Sequence, residues 1–176
     1  MNSLKGKVEK RIKELQKRKQ GKLIWLAEEW ATKEFNQFLT QFDQTPPNGV
    51  IVDDGRNDLL RINQFEREDL MVKKFNLTRT YDKLRFCVLD SKAVRSLRIA
   101  LALEEIGVNT PRPIAVVEER GSFRKLLYSY YVTEYVDYDY NLLDIIADDD
   151  HPRREEVKEL LPRIAQDVRK MHDAGI

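Results

Sequence analysis

The chain has 176 residues, of which 35% are charged and 41% hydrophobic, and a net charge of +1. That length can bury a core, no apolar run approaches the roughly 18 residues that a membrane span needs, and the first residues lack the apolar centre of a signal peptide. A globular, cytoplasmic protein is the expectation. Cys87 is the sole cysteine, which excludes an intramolecular disulfide and a cysteine-based zinc site, and His151 and His172 lack metal-ligand spacing.

The charge is uneven. Residues 1–22 carry nine basic side chains (Lys5, Lys7, Lys10, Arg11, Lys13, Lys17, Arg18, Lys19 and Lys22) against Glu9 and Glu14, a local charge of +7 that leaves −6 for the rest. Such a segment is drawn to anionic lipid or nucleic acid. Nucleic acid is not expected as a partner, because the rest of the chain is acidic and shows no reading motif. Leu4, Val8, Ile12 and Leu15 form one apolar stripe on an otherwise basic helix, suited to docking on the protein's own body, on a partner or on an anionic membrane surface. Gly21 interrupts it. A second helix is expected from about Lys22 to Phe42, with Leu23, Leu26, Trp30, Phe38 and Phe42 as core.

Thr45-Pro46-Pro47-Asn48-Gly49 ends the helical region, because consecutive prolines cannot continue a helix. A boundary placed there divides the chain into a basic helical extension over 1–45, a middle domain over 46–136 and a further helical part over 137–176. Three strand-like runs follow the boundary: Val50-Ile51-Val52, Leu59-Leu60-Arg61-Ile62 and Leu70 to Phe75. Asp53-Asp54-Gly55-Arg56-Asn57 supplies the Asp-Gly turn between the first two. Short connections of this kind mean an antiparallel meander. After a polar linker from Asn76 to Asp90, Ser91 is an N-cap for a helix to about Ile106, closed by Gly107. Thr110-Pro111-Arg112-Pro113 is extended, and strands over Ile114–Glu118 and Leu126–Val136 complete an α+β domain of five antiparallel strands and one helix.

Tyr138 to Asn141 leads to a short helix at Leu142–Ala147. Asp148-Asp149-Asp150 reads as a solvated helix end, since consecutive side chains diverge. The last helix, Glu155 to His172, is apolar at Val157, Leu160, Leu161, Ile164, Val168 and Met171, a core face with little chain left to cover it. Pro162 should kink it, and the sequence looks cut short.

Within the third strand, Met71, Lys73 and Phe75 share one face by the two-residue period. A lysine there either snorkels to solvent as an edge guard or meets an anion. The order of elements, with Lys73 ending the third strand and Thr133-Glu134-Tyr135-Val136 ending the fifth, resembles the small lobe of a protein kinase-like fold and the start of its large lobe. Met71-Val72-Lys73-Lys74-Phe75, Ser91-Lys92-Ala93, Gly107 through Ala115 and Met171-His172-Asp173-Ala174-Gly175-Ile176 together resemble the bacterial lipopolysaccharide kinase family, over about residues 50–176. That family includes kinases of the core sugars Kdo and heptose.

The resemblance implies ATP with Mg²⁺ and a lipid-linked sugar as substrate. Lys73 would hold the α- and β-phosphates, the Glu134 carbonyl and Val136 amide the adenine edge, and Gly55 with Arg56 would lie over the phosphates. The basic N-terminus would hold the enzyme at the inner face of the cytoplasmic membrane. The chain departs from the kinase pattern in three ways. It has no G-x-G-x-x-G loop, it has Ser96 where many relatives place the glutamate that pairs with the lysine, and it ends before the H-x-D loop and the metal ligands. Phosphoryl transfer by this chain alone is therefore not expected, and the alternative reading is a degenerate kinase-like interaction module without catalysis.

Overall fold

The computed structural model describes residues 3–19, 21–43, 45–53, 55–66, 68–77 and 85–176. In chain order the elements are α1 (Leu4–Leu15), β1 (Gln16–Lys19), β2 (Lys22–Leu26), a 3₁₀ turn (Glu28–Trp30), α2 (Lys33–Thr40), β3 (Val50–Asp53), β4 (Asp58–Phe65) and β5 (Glu68–Lys74). There follow α3 (Lys92–Glu105), β6 (Pro113–Arg120), a second 3₁₀ turn (Ser122–Arg124), β7 (Leu126–Glu134), α4 (Leu142–Ala147) and α5 (Arg154–Ala174). Among the described residues no helix is long and apolar enough to cross a membrane.

The sheet is antiparallel throughout, with the order β1-β2-β6-β7-β5-β4-β3. The five expected strands are present, and β3, β4 and β5 form the expected meander. The expectation of a five-stranded sheet is corrected to seven, and the N-terminal extension is not wholly helical. β1 and β2 pair antiparallel and extend the sheet at β6, with Trp25 opposite Val116. Leu23-Ile24-Trp25-Leu26 is a continuous apolar run, which suits a buried strand as well as a helix, and its place in the sheet decides between them. Gly21, at φ +79°, supports the turn into β2. Gly49 has a different reason to be glycine: a Cβ there would meet Ile62 Cδ1 at 2.6 Å.

Two layers flank the sheet. Leu60, Leu70, Val72, Tyr130 and Val132 form one face, covered by residues 27–42. Phe35 and Phe38 pack on Phe65, and Phe42 lies 4.9 Å from the Tyr130 ring. Thr32 caps α2 by accepting from the Phe35 amide at 3.0 Å. At the other end, the buried Lys22 ammonium donates to the carbonyl of Thr40 (2.8 Å), one of the acceptors a helix terminus leaves without an intrahelical partner, and to that of Phe42 just beyond the helix.

The opposite face carries α3, and α1 docks on it. Val8 and Ile12 are buried, and Lys7–Glu105 (3.4 Å), Arg11–Glu104 (2.7 Å) and Arg98–Glu9 (2.6 Å) tie the two helices. The apolar stripe of α1 is thus spent on the protein's own body. Ser91 caps α3 through the Val94 amide, and Gly107 takes φ +68° beyond its end, both as the sequence implies. Of the linker, Tyr81 and Leu84 lie outside the described residues, and Phe86 is fully buried.

The last helix departs from expectation. None of its residues is buried, and Leu161 and Val168 are 53% and 43% exposed, so the apolar face expected as core lies open. It runs through Pro162 as one helix. Asp149 pairs with Arg154 at 2.7 Å.

Candidate functional site

Lys73 sits near the end of β5, opposite Leu59 of β4 and Tyr131 of β7. Strand alternation puts these side chains, with Met71 and Thr133, on the same face of the sheet as α3. Together with Thr110 and Pro111 they line a cavity of about 220 Å³. Lys73 is half-buried there and makes no ion pair among the described residues; its ammonium lies 5.5 Å from the centre of the Phe75 ring. Neighbouring Lys74 differs, lying 3.9 Å from Asp58. Burial, and secondarily Glu104, pushes the Tyr131 phenol well above its ordinary range. It is therefore neutral near pH 7 and offers the cavity a wall, not a base.

A second cavity, of about 330 Å³, is lined by Arg56, Asn57, Phe75, Lys92, Arg95, Ser96 and Ile99. Phe75 connects it to Lys73. Arg56 comes from the turn between β3 and β4, and Lys92, Arg95 and Ser96 come from the first turns of α3. Glu104 and Glu105, the acidic residues at the other end of that helix, are engaged by Arg11 and Lys7, and among the described residues no carboxylate pairs with Lys73.

The segment after β7 is braced from two directions. Glu134 accepts from the Arg112 amide at 2.9 Å, and its own N–H donates to the Arg112 carbonyl at 3.1 Å. The Arg112 guanidinium grips Glu68 through both carboxylate oxygens (2.7 and 2.6 Å) and stands 3.6 Å from Glu134, an ion pair rather than a hydrogen bond. The Thr-Pro-Arg-Pro turn therefore ties β5 to the end of β7. On the other side, the Tyr135 amide donates to the Asp69 carbonyl at 2.8 Å, and its ring lies 4.0 Å from the Arg61 guanidinium.

Asp69 takes Arg61 at 2.9 and 2.5 Å and the Gln64 amide at 2.7 Å; Gln64 itself adopts φ +49°. The Gln64 amide and then Arg61 hold this carboxyl below its ordinary value of 3.8. A depressed carboxyl pKa contributes stability that is present above the unfolded-state value and lost as pH falls through the folded one. Asp69→Asn should therefore destabilise the chain at pH 7, with the gap to wild type closing below about pH 4. Urea midpoints at pH 7 and pH 3 measure this, and a pH-independent gap would show that the charge has no part in it.

Of the residues assigned by sequence, Lys73 and Arg56 line the two cavities, one each. Glu134 ends β7 and its carbonyl accepts from Thr133 Oγ1 at 2.9 Å. Val136, two residues on, is exposed, as is Gly55, which lies in the turn with its amide on Asp53 Oδ1 and outside both linings. Lys92 and Arg95 were not singled out as binding residues. The signal lay in Ser91-Lys92-Ala93-Val94-Arg95, a helix start with two cations and no acid, against the usual preference.

The family model for lipopolysaccharide kinases (Kdo/WaaP) matches residues 58–176. The chain belongs to the lipopolysaccharide kinase family. No curated protein matches it. A solved structure of WaaP in complex with acyl carrier protein aligns with 73% of this chain at 19% identity and a TM-score of 0.40. The aligned part is 47% of that WaaP chain, so the present chain spans about half of its length. The family match begins at the start of β4 and includes Lys73, α3 and the braced end of β7.

Proposed function

We propose that the chain is the ATP-binding part of a lipopolysaccharide core sugar kinase, which transfers a phosphoryl group to a sugar hydroxyl. The observation that carries this reading is Lys73, a half-buried ammonium without an ion pair among the described residues, set between a largely apolar cavity and a cationic one. ATP needs those two environments side by side. Its base would lie between Leu59, Met71 and Thr133, with the Glu134 carbonyl and Val136 amide at its edge, and its phosphates would run past Lys73 toward Arg56. Phosphoryl transfer depends mainly on positioning and charge stabilisation, and this part supplies the positioning of the donor.

Mg²⁺, which kinase chemistry implies, has no matching ligand set here. Among the described residues no three His, Cys, Asp or Glu side chains converge, and no step through the metal is derived. The test is calorimetric titration with ATP and with adenosine. Binding of ATP that is tighter than that of adenosine supports the reading. No heat from either favours the interaction module, which Ser96 and the open apolar face of α5 also suit.

Peripheral membrane contact would rest on the outward lysines of residues 1–22 alone, because Val8 and Ile12 are buried. In this reading, sedimentation with anionic liposomes falls when Lys5, Lys10, Lys13 and Lys17 are replaced by glutamine. Unchanged binding removes membrane contact from the proposal.

A further inference from the structure

Arg56, Lys92 and Arg95 converge on one cavity from two separate elements, and Lys73 lies beyond Phe75 at its border. None of the four has an ion pair among the described residues, although most other cations near α3 do. Arg98 holds both Glu9 and Asp90, Arg11 holds Glu104, and Lys7 holds Glu105. Like charges gathered without a counter-charge repel, and two of these stand at the helix end that already carries partial positive charge. Asn57 lines the same space. The one neutral polar group where a glutamate would balance this charge is Ser96. Four cations without an ion pair among the described residues match a polyanion with many acceptor oxygens.

We propose that α3 is a polyphosphate clamp: Lys92 and Arg95, with Arg56 and Lys73, hold the phosphate chain directly, and the phosphates do for this helix what a lysine–glutamate ion pair would otherwise do. This rests on the nucleotide reading above and adds to it the contribution of α3. In this clamp a glutamate at position 96, which lines the same cavity, would compete with the phosphates for Lys92 and Arg95.

The experiment is calorimetric titration with ATP, adenosine and inorganic tripolyphosphate on wild type, Arg95→Ala, Lys92→Ala and Ser96→Glu. Each alanine variant should weaken ATP and tripolyphosphate by about tenfold, the scale of one charge-assisted contact, and leave adenosine unchanged. Thermal unfolding without ligand should be unaffected or improved in both, which separates loss of a contact from loss of fold. Ser96→Glu should also weaken ATP. Tighter ATP binding by Ser96→Glu, or ATP binding that needs Lys73 but is indifferent to Arg95 and Lys92, would overturn the clamp while leaving the nucleotide reading intact. Tripolyphosphate binding that needs Arg95, with no preference for ATP, would keep the anion site and remove the nucleotide. No binding of either anion defeats both.

Discussion

Phe35→Ala is expected to lower the unfolding free energy by about 3–5 kcal/mol, the range for truncating a fully buried phenylalanine. Phe35 is 0% exposed and touches Trp30 at 5.0 Å, Phe38 at 5.8 Å and Phe65 at 5.3 Å between ring centres. Phe65 belongs to β4, so the cavity would open between residues 27–42 and the face of the sheet that they cover. A chain lacking residues 1–42 should fare worse. It would lose β2 from the edge of β6 and bare Leu60, Leu70, Val72, Tyr130 and Val132 together, and it is expected to be insoluble or unfolded. Denaturation in urea measures the first, and circular dichroism with size exclusion the second. A loss below about 1 kcal/mol for Phe35→Ala, or a cooperative transition in the shortened chain, would mean that the N-terminal segment is an appendage and not part of the same core.

Lys73→Ala is expected to reduce ATP affinity by roughly ten- to a hundredfold, since an ammonium contributes about 1.5–3 kcal/mol through hydrogen bonds to charged oxygens. Fold stability should change little. Lys73 makes no ion pair among the described residues, and the one contact named for its ammonium is the Phe75 ring, so its removal leaves no buried charge alone. In thermal shift, saturating ATP at a hundred times the dissociation constant should stabilise wild type by about 2.7 kcal/mol and the variant far less. Lys73→Met keeps the aliphatic stem and isolates the charge. Equal ATP shifts in wild type and both variants would remove Lys73 from the nucleotide site, and the edge-guard reading of that lysine would stand.

Much of the middle of the chain was legible residue by residue. The period of two in β4 and β5, the Ser91 cap and the Gly107 stop are local signals, each with a local physical cause, and the face on which Lys73 lies follows from the strand period, whereas Asp54 of the expected Asp-Gly turn lies outside the described residues. The cavity walls were less legible. That Lys92 and Arg95 share a cavity with Arg56 shows only in the tertiary structure. Arg112 looked like part of an extended turn; its grip on Glu68 and Glu134 joins positions 44 and 22 residues away. The apolar stripe of α5 was visible, but whether it is covered could not be read from its own pattern.

By itself, then, the sequence determined the meander, the capped helix α3 and the face on which Lys73 lies, because backbone dihedral preferences and apolar periodicity act within a few residues. The tertiary structure alone decided that residues 16–19 and 22–26 are strands and that α1 docks on α3. Leu23 to Leu26 suit helix or strand equally, and the open edge of β6 offers the ladder of hydrogen bonds that settles the choice. For α1, the deciding partners are Glu104, Glu105 and Arg98, some ninety residues further along the chain, where no local pattern can reach.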